Sequence, residues 1–149
     1  SRSVMRRSYL SVVFPLLALA IGPGVSSAHE PIRERCMHME TIEYTDLFVS
    51  RSLSGRAVFS DGGVGISDVQ IAVRSLPEGP KIHLHSDENG SFKFKALASG
   101  TYEVVSCFDG FDALAFRVRL DPGAADSSFL LHLGPSETGT STTLEQVKP

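Results

Sequence analysis

The sequence predicts an all-β fold, a seven-stranded antiparallel β-sandwich, and three observations predict it. From Leu53 onward apolar residues recur at every second position rather than with a helical period. Turn-forming residues separate these runs at regular intervals. No amphipathic helical stretch lies between one run and the next, which excludes an α/β crossover fold.

The runs can be justified in order. A first strand from about Leu53 ends at Asp61-Gly62-Gly63. Val69, Ile71 and Val73 then alternate with Gln70, Ala72 and Arg74, up to Pro77-Glu78-Gly79-Pro80. Ile82 and Leu84 alternate with His83 and His85. Asp87-Glu88-Asn89-Gly90 reads as a hairpin turn, because Asn-Gly tolerates positive φ. Phe92 and Phe94 alternate with lysines, and Tyr102 and Val104 share a face opposite Glu103, Val105 and Cys107. Leu114, Phe116, Val118 and Leu120 oppose Ala115, Arg117 and Arg119, and Phe129, Leu131 and Leu133 close the series. One apolar and one polar face per strand is the pattern of sheets packed on one side.

Length suits a single domain, since 149 residues fall within the usual range for one folding unit. The N-terminus reads as an export signal over residues 1–28. Arg2, Arg6 and Arg7 form a basic segment, Tyr9 to Ile21 an apolar one, and Ser26-Ser27-Ala28 supplies small residues for cleavage after Ala28. The apolar run is too short for a membrane anchor and Pro15 interrupts it, so no span is expected after cleavage. Removing residues 1–28 takes away three basic and no acidic groups, leaving 11 basic against 17 acidic side chains and a charge of −6. That balance disfavours nucleic acid or an anionic membrane as a partner. The expected location is the periplasm or the cell exterior. There the two cysteines, Cys36 and Cys107, are expected to pair as a disulfide.

Residues 29–52 form an N-terminal arm, in which Pro31 could open a short helix and Thr41 to Val49 an extra strand whose alternation breaks at Asp46. The sandwich occupies 53–133. Residues 134–149, rich in Ser, Thr and Gly, are expected to be a disordered tail.

The order Gly55-Arg56-Ala57-Val58, Val69-Gln70-Ile71-Ala72-Val73, Asp87-Glu88-Asn89-Gly90-Ser91-Phe92-Lys93-Phe94 and Leu97-Ala98-Ser99-Gly100-Thr101-Tyr102 resembles the carboxypeptidase regulatory-like domain. The resemblance covers about residues 53–133. It implies a prealbumin-like (transthyretin-like) Greek-key sandwich, a module found appended to peptidases, outer-membrane receptors, and surface and carbohydrate-acting proteins. Such a fold serves many roles and does not by itself name an activity.

Catalysis is not expected. The acidic groups Asp61, Asp87, Glu88, Asp109, Asp112 and Asp121 lie in turns, where they serve turn geometry and solubility. There is no Gly-x-Ser-x-Gly elbow and no His-Glu-x-x-His helix. Transthyretin-like hydroxyisourate hydrolases end in Tyr-Arg-Gly-Ser, which is missing here, and intradiol dioxygenases need paired Tyr and His around iron. Arg56 replaces the lysine that adhesin relatives use for an internal isopeptide bond.

No cofactor is required, but a divalent transition metal is the sharpest alternative. His83 and His85 lie two apart on one strand face with Asp87 nearby, and imidazole suits copper, zinc and nickel. Cys36-Met37-His38-Met39 is a further set of soft ligands, and His29 would be an amino-terminal chelator after cleavage. Surface histidines on a strand are more often plain solvent-facing residues. The other class is recognition: an edge strand could accept a peptide, and Phe108 and Phe111, flanking Asp109-Gly110, could form an exposed apolar patch rather than a cap on the core. The expected function is an exported, non-catalytic binding or scaffolding module for a protein or carbohydrate. The alternative is a periplasmic metal-binding protein.

Overall fold

The computed structural model describes residues 40–137 and 141–149. The expected signal peptide, His29 and the Cys36–Met39 cluster lie outside these residues. All described residues belong to the unit Pro31–Pro149. Among them no helix is long and apolar enough to cross a membrane.

Nine strands form among the described residues: β1 (Thr41–Ser50), β2 (Leu53–Phe59), β3 (Gln70–Ser75), β4 (Lys81–His85), β5 (Ser91–Phe94), β6 (Gly100–Cys107), β7 (Ala113–Leu120), β8 (Ser128–Leu133) and β9 (Thr143–Val147). They divide into a five-stranded sheet of order β1-β7-β6-β3-β4 and a four-stranded sheet of order β5-β2-β8-β9. The all-β, two-sheet prediction therefore holds, with nine strands in place of seven.

Alternation places the core between the sheets, as expected of strands packed on one side. Leu114, Phe116, Val118 and Leu120 of β7 face Phe129, Leu131 and Leu133 of β8 within one buried cluster. The rings of Phe116 and Phe129 lie 5.3 Å apart, and Phe48 of β1 meets both edge-on at 6.0 and 5.8 Å. Phe92, Phe94 and Tyr102 are all buried in the same cluster.

The sheets are mixed rather than antiparallel. β1 runs parallel to β7, and β2 parallel to β8, each pairing an early strand with a late one. Alternation reports which face a residue takes but not the direction of its neighbour, so this feature was hidden in the sequence. The break in alternation at Asp46 corresponds to an irregularity in the β1–β7 register between Glu43 and Leu47, where Arg117 Nη2 donates to the Thr45 carbonyl at 3.1 Å.

Two further expectations change. Asp87–Gly90 makes a tight turn, with Gly90 N–H donating to the Asp87 carbonyl at 2.9 Å. It does not form a hairpin, because β4 and β5 belong to different sheets. The strands part because each is captured separately. Ser86 Oγ donates to the Ile66 carbonyl at 2.7 Å and accepts from Val69 N–H at 2.9 Å. Gly90, at φ +80°, offers its carbonyl to Ala57 N–H of β2 at 2.8 Å. A Cβ there would stand 2.2 Å from the Ala57 carbonyl oxygen, so only glycine allows the approach.

The expected disordered tail instead carries β9, which pairs antiparallel with β8. Leu144 and Gln146 turn inward on alternate positions. Gln146 Nε2 donates to the Val49 carbonyl and to Ser127 Oγ, each at 2.8 Å. Polar tail residues thus find partners that composition cannot announce.

Candidate functional site

One end of the sandwich gathers the C-terminus of β2, the β6–β7 turn and the segment after β8. Ser60 N–H donates to the Leu133 carbonyl at 3.0 Å, and Phe111 bridges to Pro135. Phe108 and Phe111 sit in the turn, with Phe111 N–H bonded to the Phe108 carbonyl at 3.0 Å and Gly110 at φ +89° reversing the chain. Their rings lie 5.5 Å apart. Both are half-buried against the core, so each caps the sandwich and still shows part of its ring.

The structure adds a third ring that sequence reasoning missed. Phe59, at the end of β2, lies 5.6 Å from Phe111 and is 36% exposed. Its amide donates to the carbonyl of Val64 at 2.9 Å, and Val64 is 64% exposed. The signal available was Phe59 immediately before Ser60-Asp61-Gly62-Gly63, an aromatic at a strand end next to a turn. Phe59, Phe111 and Phe108 form a continuous aromatic row, and Asp61 and Asp109 are exposed in the adjoining turns.

His83 and His85 are both exposed on β4, the edge strand of the five-stranded sheet, with ring centroids 6.5 Å apart. Asp87 is occupied otherwise: its Oδ1 accepts from Asn89 N–H at 2.8 Å and Ser91 N–H at 2.9 Å, fixing the turn. Among the described residues no three His, Cys, Asp or Glu side chains assemble a group that could hold a metal. Any metal on His83 and His85 would therefore draw its remaining ligands from outside the described residues.

The turn acids behave as turn chemistry requires. Asp121 Oδ1 accepts from Gly123 N–H at 2.8 Å, as Asp87 does in its own turn. Asp112 differs, being buried with an Oδ1 that has no hydrogen-bond partner. Its backbone is held by the Gly134 carbonyl at 3.1 Å. Cys107 is buried at the end of β6 beside Ala72 and Ala113.

No curated protein matches the chain. Solved structures similar to it include an (S)-allantoin synthase at 15% identity and TM-score 0.49, covering 68% of this chain and 44% of that one. A 5-hydroxyisourate hydrolase from Klebsiella pneumoniae is similar at 13% identity and TM-score 0.48, covering 66% and 97%. A 3-chlorocatechol 1,2-dioxygenase from Rhodococcus opacus is similar at 14% identity and TM-score 0.37, covering 72% and 65%. The chain spans less than half the length of the first of these. The family model of the carboxypeptidase regulatory-like domain matches residues 52–130, which is more than half of the chain and takes in β2 through the first half of β8. With its two-sheet sandwich and the Phe92, Phe94 and Tyr102 core in place, this chain belongs to the carboxypeptidase regulatory-like domain family, and its fold is prealbumin-like.

Proposed function

We propose that this protein is an exported, non-catalytic binding module that engages a protein or carbohydrate partner through the aromatic row Phe59–Phe111–Phe108. The single observation that carries the reading is the row itself: three linked rings at the loop end, the outermost 36% exposed. Aromatic rings present a large apolar face at a small cost in side-chain entropy, which suits both an apolar side chain and the flat face of a sugar. Asp61 and Asp109, exposed in the adjoining turns, are acidic groups close to the rings in sequence that could orient such a ligand. The non-catalytic part of the reading is supported by Asp87 and Asp121, whose carboxylates are committed to backbone amides of their own turns. Export rests on the basic, apolar and small-residue order of residues 1–28.

The test is an NMR titration of the full chain with soluble oligosaccharides and, separately, with short apolar peptides. Shifts concentrated on the Phe59, Phe108 and Phe111 rings support the reading and tell the two classes apart. Rings that stay still with both probes overturn it.

A second reading rests on the adjacent exposed rings of His83 and His85. Equimolar copper or nickel would then raise the melting temperature, and His83→Ala with His85→Ala would abolish the rise. An unchanged melt in the unmodified protein retires metal binding at this edge.

A further inference from the structure

β4 is an edge of the five-stranded sheet, and among the described residues no strand pairs with its far side. One bond fixes the phase of its backbone. Ser86 N–H donates to the Val69 carbonyl at 2.9 Å, and the same register continues as Leu84 with Ile71 and Ile82 with Val73. Bonded and unbonded pairs alternate along an antiparallel ladder, so Ile82 and Leu84 direct their amides and carbonyls at β3. Those of Lys81, His83 and His85 point to the open side. The side chains of the same three residues lie on the outer face of the sheet, because Ile71 and Val73, opposite Leu84 and Ile82, belong to the core. All three residues are exposed.

We propose that β4 pairs antiparallel with β4 of a second copy of this chain, and that one copper or nickel ion joins the copies through His83 and His85 of each. The pairing rests on metal binding at these two rings, the second reading given above, and adds the partner that completes it. Three observations point to a second copy. One chain supplies half a coordination sphere: its two rings lie 6.5 Å apart, and among the described residues no third His, Cys, Asp or Glu joins them. Copper(II) and nickel(II) favour a square-planar or tetragonal set of nitrogen and oxygen ligands, and a twofold axis turns two imidazoles into four.

The backbone allows this arrangement. Residues facing a new antiparallel partner must be those with open amides and carbonyls, and His83 opposite His85 of the second copy meets that condition on both sides of the axis. The axis then passes beside Leu84. Residues bonded across such a ladder stand about 5.5 Å apart, so the four rings share one small area of a single face.

Charge selects the same register. It sets Lys81 against the exposed Asp87 of the second copy. Within its own chain Lys81 lies opposite Arg74, whose guanidinium is engaged by Glu103 at 3.4 Å. Sliding the pairing by two residues would instead set Lys81 against His85 of the second copy, a cation beside a metal-binding ring. Opposite charges across a ladder stabilise it and like charges do the reverse.

The experiment is sedimentation velocity on the unmodified full chain, with the metal content of the sedimenting species measured. The chain should be a monomer in EDTA. Half an equivalent of nickel should convert it to a dimer holding one ion per two chains, and EDTA should reverse the change. His83→Ala with His85→Ala should stay monomeric in nickel. Lys81→Glu keeps both ligands at an exposed position, yet should weaken the dimer about 10-fold, because the twofold repeats the clash with Asp87. A monomer carrying one ion per chain overturns the inference and leaves metal binding at this edge standing. No uptake of nickel or copper overturns both. A dimer that persists in EDTA or in the double-alanine variant, or one indifferent to Lys81→Glu, places the contact elsewhere and overturns the inference.

Discussion

Gly55 and Phe129 meet backbone to backbone across the parallel pairing of β2 with β8. A Cβ on Gly55 would stand 1.9 Å from the Phe129 carbonyl oxygen, closer than any real contact. Backbone cannot swing aside as a flexible side chain can, so relief requires moving a central strand. Gly55→Ala should cost on the order of 3 kcal/mol or abolish folding. Gly62, also a glycine but in an open turn at φ +86° with nothing nearby, should lose only about 1 kcal/mol as alanine. Urea melts of the two variants test the contrast, and similar losses would show that β2 has room to move.

Tyr102 ties the start of β6 to the loop before it. Its hydroxyl donates to the Ala98 carbonyl at 2.7 Å while its ring is buried in the core. Tyr102→Phe should cost about 1 kcal/mol, the net worth of one hydrogen bond. Tyr102→Ala, which also empties the ring's space, should cost about 3–5 kcal/mol. Equal losses in the two variants would mean that the hydroxyl, not the ring, holds this corner.

The aromatic row separates binding from stability. Phe59 is partly in solvent, so Phe59→Ser should change stability by less than about 1 kcal/mol. Phe111 touches both other rings and packs on the core, so Phe111→Ser should cost about 2 kcal/mol. If the row is the binding surface, Phe59→Ser weakens ligand binding at least about 10-fold while the melt barely moves. Retained affinity in a well-folded Phe59→Ser protein would move the site elsewhere.

Removal of residues 141–149 tests the tail. It strips β9 from β8 and takes away Leu144, whose amide donates to Tyr44 Oη at 3.0 Å. It also removes Gln146, which bonds Val49 and Ser127. A loss of about 2–4 kcal/mol is expected in a denaturant melt. A silent deletion would return the tail to the disordered state that its composition suggested.

What was legible in the residues follows from what each signal encodes. Alternation on β3, β6, β7 and β8 encodes burial, and the inward rows from Val69 to Leu133 match it. Nothing in that rhythm encodes which strand lies alongside, so the parallel neighbours of β1 and β2 were invisible. The same blindness made Asn89-Gly90 look like a hairpin, since a tight reversal serves equally to change sheets. The order of the tail is not legible in its composition because Leu144 is its one inward apolar side chain and Gln146 is held by hydrogen bonds. At the candidate site the turn pair Phe108 and Phe111 was readable from local sequence. Phe59 shows only a local signal, an aromatic at a strand end before a turn, and its place beside the other two comes from the fold.

The parallel neighbours also set an order of events. Arg117 reaches Thr45 across a sequence separation of 72 residues. A polypeptide made from its N-terminus therefore presents β1 and β2 long before the strands that will flank them exist. Closing so large a loop makes assembly slow relative to a meander of adjacent hairpins. During that interval two half-apolar strands stand with unfilled amides and carbonyls, ready to capture whatever extended chain comes near.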